Sequence, residues 1–194
     1  IADDLLEDAK QMKDMDSLLP AVVEPDISQP KTQTPSNAAQ YSSKYDDMIL
    51  RADWLDRIDY VIGLVTKPDK TTRYRAVEKL TGVPHWVVGV IHLLEASLDF
   101  SSHLHNGDPL SAPTVKVPKN RPSTWRPGIT WAESAADALV GEGRDLDKVS
   151  DWSIGAALEV FEKYNGLGYR NRGIMSPYLW SGSEYYDKGK FVKD

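Results

Sequence analysis

Glu95 closes an apolar run, Ile91-His92-Leu93-Leu94-Glu95-Ala96-Ser97-Leu98-Asp99-Phe100, and a carboxyl group in that setting suits proton transfer. From Trp86 to Leu98 the residues are apolar almost all round, which predicts a buried central helix. Pro84 marks its start, because a first turn leaves unbonded the N–H that proline lacks. Burial disfavours the ionised carboxyl, and the negative end of the helix dipole acts in the same direction near the C-terminus. Both effects favour the protonated form that a general acid must hold near neutral pH. The competing reading of Glu95 is a carboxylate turned to water or paired with an arginine.

Two further segments carry polar chemistry. His103-Leu104-His105-Asn106-Gly107-Asp108-Pro109-Leu110 follows the apolar helix, with an extended arm behind it. Lys163-Tyr164-Asn165-Gly166-Leu167-Gly168-Tyr169-Arg170 and Ser176-Pro177-Tyr178-Leu179-Trp180 are dense in aromatic, amide and glycine residues. Aromatic faces and amides suit an amphipathic, neutral polymer such as a sugar chain; read alone, Asn165-Gly166 is a helix stop and the aromatics are core. The histidines open a different chemistry. His92 and Glu95 share a helix face, and with His103 and His105 they supply the donor types of a zinc site. Their spacing matches no H-E-x-x-H signature, and His92 alone reads as a core histidine.

The elements that must position these groups are mostly helical. Met48, Ile49, Ala52, Leu55, Ile58, Ile62 and Val65 predict a helix over 45–65. A second helix over 71–80 is stopped by Thr81-Gly82, and the central helix follows. Residues 105–127 are non-helical, and Pro113-Thr114-Val115-Lys116-Val117-Pro118 alternates enough for one short strand or hairpin arm. Thr130-Trp131-Ala132-Glu133 has the form of a capping box opening a helix to about Val140. A last helix over 152–164 ends at Asn165-Gly166. At the other end, residues 3–19 predict a short amphipathic helix, and residues 25–40 read as an extended Pro-, Ser-, Thr-, Gln- and Asn-rich linker.

The chain of 194 residues carries a net charge of −6, set mainly by residues 1–40, where eight Asp and Glu face three Lys and Arg. Residues 41–194 hold 21 acidic and 20 basic side chains, far from the basic excess of a nucleic-acid binder. No apolar run approaches the ~18 residues of a membrane helix, and the first residues show neither a basic nor an apolar signal region. With no cysteine, disulfide and thiol chemistry are excluded. Residues 1–40 therefore read as an acidic helix and linker, either an assembly element or a disordered leader. Residues 41–194 read as a mainly α (α+β) domain with a small β or extended insertion after the central helix.

The Glu95 segment resembles the E-S-x-F motif of the lysozyme-like superfamily, above all lytic transglycosylases and goose-type lysozymes, with Ala96 intervening before Ser97. Ala157 to Gly166 resembles their A-Y-N-x-G motif. A bacterial and phage family of predicted lysozymes is similar over most of residues 41–194. Its HLHNGDPL stretch matches His103 to Leu110, followed by Ala112, Thr114-Val115, Val117-Pro118 and Arg121-Pro122. Trp131, Ser134-Ala135 and Asp137-Ala138-Leu139 match its next motif, and Tyr164 to Arg170 and Ser176 to Trp180 match its last two. The G-L-M-Q motif of typical lytic transglycosylases is not visible; the 105–118 stretch stands in its place.

The resemblance implies a lysozyme-like helical domain that cleaves the β-1,4 bond between N-acetylmuramic acid and N-acetylglucosamine in peptidoglycan, without a cofactor or metal. Glu95 would protonate the leaving oxygen, and His105, Tyr164, Asn165, Gly166, Tyr169 and Tyr178 would line the sugar groove. An inverting hydrolase needs a second carboxylate about 6.5–9.5 Å away, a retaining one at about 5–5.5 Å. Asp108 is the candidate, although Asn-Gly-Asp-Pro is also ordinary turn chemistry; Thr114 is the alternative, holding a water through its hydroxyl. A lytic transglycosylase needs neither, since the sugar's own 6-hydroxyl attacks and leaves a 1,6-anhydro end. A non-catalytic wall-binding or virion module, with residues 1–40 docking to a larger protein or particle, is the reading from another class.

Overall fold

The structure, a computed structural model, describes residues 37–141 and 144–186. The helix expected over 3–19 lies outside the described residues. Among those described, the chain is mainly helical: α1 (Ala38–Asp46), α2 (Leu55–Val65), α3 (Pro68–Thr81), α4 (His85–Ala96), α5 (Trp131–Val140), α6 (Ile154–Asn165) and α7 (Pro177–Trp180). Single helical turns lie at Ala52–Trp54, Leu146–Lys148 and Arg170–Arg172.

The central helix is α4. Val87, Val88 and Ile91 are fully enclosed, because α3, α5 and α6 bring Tyr74, Val77, Ala135, Leu139, Ala157 and Phe161 into the same core. His92, on α4, sits in an aromatic box with Phe100 and Trp131 at 4.5 and 4.6 Å between ring centres. Its Nδ1 lies 3.1 Å from the Tyr74 hydroxyl. Burial pushes the His92 imidazole down to about 4, so it is neutral at pH 7. It is a core histidine, as the simpler reading of the sequence allowed.

Local signals read from the sequence hold at several ends. Gly82 terminates α3 in the left-handed region at φ 77°. At the start of α5, Thr130 accepts from the Glu133 N–H while the Glu133 side chain accepts from the Thr130 N–H, a complete capping box. Pro84 stands just before the first helical residue of α4. The far end of α4 is unusual. Ser97 and Leu98 adopt φ 50° and 61°, two consecutive non-glycine residues in left-handed geometry. That geometry costs roughly 1–2 kcal/mol per residue, and it begins two residues after Glu95.

The helix expected over 45–65 is two helices with a break between them. Ile49 to Arg51 pair with the far end of the chain: the Arg51 N–H donates to the Gly182 carbonyl at 2.9 Å, and the Glu184 N–H to the Ile49 carbonyl at 3.0 Å. This exchange removes the backbone groups that a continuous helix would need. α1 begins inside the segment expected to be linker and lies against α6. Gly155 makes that approach possible, since a Cβ there would sit 2.0 Å from the Ala38 carbonyl oxygen. α7 joins the same side, where Tyr41, Leu158 and Trp180 form a second small core.

No strand forms over 113–118. Among the described residues only two isolated bridges occur, Leu50 with Ser183 and Ser102 with Pro109. Thr114 alone in this segment pairs through its backbone, donating to the Arg121 carbonyl at 2.9 Å and accepting from the Asn120 N–H at 2.7 Å, and a side chain takes the next two N–H groups. The Asp108 carboxylate accepts from the N–H groups of Val115 and Lys116 at 2.8 and 2.9 Å.

Candidate active site

Glu95 lies in the last turn of α4 and is partly exposed, so its carboxyl stands where an enclosed helix meets solvent. The hydroxyl of Tyr178, on α7, donates to Glu95 Oε1 at 3.3 Å. Tyr164, at the end of α6, is buried, and its hydroxyl has no hydrogen-bond partner among the described residues. Burial drives both phenols well above their ordinary range, and the charge of Glu95 pushes each further in that direction. Both therefore remain O–H donors at any physiological pH. The ends of α4, α6 and α7 thus gather one carboxyl and two phenols.

Arg144 completes this group. Its guanidinium lies over the Tyr164 ring at 3.7 Å from the centroid, and its Nη1 donates to the Tyr164 carbonyl at 2.9 Å. Its charge opposes the upward pKa shift of Tyr164 and Tyr178, the same phenols that respond to Glu95. Sequence reasoning missed Arg144. It stands in a short Gly- and charge-containing stretch without a motif, and only the fold carries it to Tyr164.

The 103–122 segment is built differently, as a knot of satisfied polar groups. His103 Nε2 donates to the Ala112 carbonyl at 2.8 Å, which leaves Nδ1 to accept from Ser134 Oγ at 2.7 Å. His105 Nε2 meets Asp137 at 2.8 Å, and Arg121 grips the same carboxylate with two N–H groups at 3.0 and 2.7 Å. Asn106 donates to the Lys116 carbonyl at 3.1 Å and accepts from the Asp108 N–H at 3.0 Å. Burial works against the charge on Asp108, but the N–H groups of Lys116 and Val115 outweigh it and hold the carboxyl below its ordinary range. Thr114 Oγ1 donates to the Pro118 carbonyl and accepts from the Arg121 N–H at 2.9 Å.

The structure therefore brings Glu95, Tyr164 and Tyr178 together. It joins His105, Asp108 and Thr114 to the loop scaffold, and no hydrogen bond or ion pair links any of these three to Glu95. Asn165 and Gly166 form the helix stop directly after Tyr164, with Gly166 exposed at φ 90°. Tyr169 is partly buried at the head of the Arg170–Arg172 turn, its carbonyl accepting from the N–H groups of Arg172 and Ile174. That turn is anchored from behind, because Arg170 pairs with the buried Glu162 and donates to the Tyr41 hydroxyl. Among the described residues, no three His, Asp or Glu side chains converge as a metal site requires, and no helix is long and apolar enough to cross a membrane. Comparison with protein-family models, curated proteins and solved structures gives no match.

Proposed function

We propose that this chain is a peptidoglycan glycosidase with a lysozyme-like architecture, in which Glu95 is the general acid that protonates the glycosidic oxygen between N-acetylmuramic acid and N-acetylglucosamine. The observation that carries this reading is the gathering of Glu95, Tyr164 and Tyr178 at the ends of three helices. Tyr178 fixes the orientation of the carboxyl by donating to Oε1. Tyr164 holds a buried O–H with no partner among the described residues, placed to bond an enclosed water beside Glu95. The extended 103–122 segment stands, on this reading, where the superfamily carries its insertion after the catalytic helix, and forms a rigid wall for the glycan strand.

One observation favours the transglycosylase outcome over hydrolysis. Asp108 Oδ2 and Thr114 Oγ1, on the candidate partners of Glu95, are taken by loop backbone, and Asp108 Oδ1 lies 4.0 Å from Lys116 Nζ. A reaction in which the 6-hydroxyl of muramic acid attacks its own anomeric carbon needs no second carboxylate. Both outcomes share Glu95. Glu95→Gln is expected to lower the rate of peptidoglycan clearing by at least about 100-fold without a change in thermal unfolding. Mass spectrometry of the digest then separates the chemistries: 1,6-anhydro ends mark a transglycosylase and reducing ends a hydrolase. Full clearing activity in Glu95→Gln overturns the proposal.

A further inference from the structure

Arg144 has no duty in the acid chemistry assigned to Glu95. Its guanidinium is nevertheless held in place, over the Tyr164 ring at 3.7 Å from the centroid and tied by Nη1 to the Tyr164 carbonyl at 2.9 Å. The rest of its fork of N–H donors has no hydrogen-bond partner among the described residues. Other arginines behave differently. Arg51, Arg121, Arg126 and Arg170 each pair with a carboxylate of this chain: Asp53, Asp137, Glu133 and Glu162. A planar guanidinium fixed by stacking on one face keeps its edge available for bidentate hydrogen bonding, and its preferred partner is a carboxylate. Arg144 stacks on Tyr164, and Tyr164 and Tyr178 are the phenols that border Glu95.

We propose that Arg144 is a subsite for a carboxylate carried by the glycan next to the bond that Glu95 protonates. On the glycosidase reading, on which this inference rests, that group is the free lactyl carboxylate of muramic acid in strands from which the stem peptide has been removed. A neutral glycan of the same backbone lacks the partner that the guanidinium edge is shaped to take. The enzyme then prefers peptide-stripped, acidic strands to uncharged ones.

The test compares two forms of one substrate: peptide-stripped glycan strands, and the same strands after their lactyl carboxylates are coupled to methylamine. The wild type is expected to cleave the acidic strands about tenfold better in kcat/KM, a factor appropriate to one charge-assisted pair. Arg144→Gln should bring that ratio close to one, with Arg144→Lys intermediate because it keeps the charge and loses the fork. A wild-type ratio of one overturns the subsite while leaving the glycosidase intact, and needs no variant to fold. An equal loss on both strands in Arg144→Gln also overturns it, because that is the mark of a mere prop for the Tyr164 ring. If wild type cleaves neither strand, or Glu95→Gln cleaves both as well as wild type, the glycosidase reading fails and takes the subsite with it.

Discussion

A carboxyl that must hand over a proton needs a fixed direction as much as a suitable environment. On the proposed glycosidase reading, Tyr178 gives Glu95 that direction through one hydrogen bond from a phenol that stays protonated. Removing only that hydroxyl, in Tyr178→Phe, is expected to lower kcat on soluble, uncross-linked glycan strands by about tenfold with KM little changed, the value of one hydrogen bond to a charged group. A change confined to KM would make Tyr178 a binding side chain instead. Glu95, Tyr164 and Tyr178 were all legible in the chain, the first from its place in an apolar helix, the others from motifs. Asp108 marks a limit of the sequence: Asn-Gly-Asp-Pro advertises a carboxylate in a turn, and the sequence does not reveal which of its oxygens the backbone takes. Here Oδ2 accepts from two backbone N–H groups, while Oδ1 lies 4.0 Å from Lys116 Nζ.

At the scale of elements, legibility follows the range of the interaction. The Thr130–Glu133 capping box and the Gly82 and Gly166 stops act within four residues and could be read directly. The break within 45–65 could not, because Ile49 and Arg51 bond to residues more than 130 positions away. The same holds for α1 against α6, which depends on Gly155. Gly155→Ala would gain helix propensity of about 1 kcal/mol and still drive a methyl into the Ala38 carbonyl at 2.0 Å. Net destabilisation of about 1–3 kcal/mol is expected from thermal or denaturant unfolding, as for other overpacked contacts. Because α1 carries Tyr41, the bond that steadies Arg170 and its turn should loosen in the same variant.

For the molecule as a whole, acid should be the main stress. In the unfolded chain His92 takes up a proton near pH 6.5, whereas burial in the fold delays this to about 4. The unfolded state binds more protons throughout that interval, so stability is complete above pH 6.5 and falls as pH drops toward 4. The full loss from this group is on the order of 3 kcal/mol. Asp108 adds a second loss lower down, as pH falls through its depressed folded value, beneath the ordinary 3.8. Urea unfolding at pH 7, 5.5 and 4.5 should show the decline, and His92→Phe should flatten it between 6.5 and 4. An unchanged slope in that variant would assign the acid sensitivity elsewhere.

The left-handed pair at Ser97 and Leu98 has an evolutionary consequence. A glycine at either position would relax the backbone, so selection for heat resistance alone would be drawn there early. Lineages that keep a side chain at both positions would be those in which the placement of the preceding turn, and with it Glu95, matters more than thermal tolerance. The two positions together would record which of the two pressures has governed a lineage.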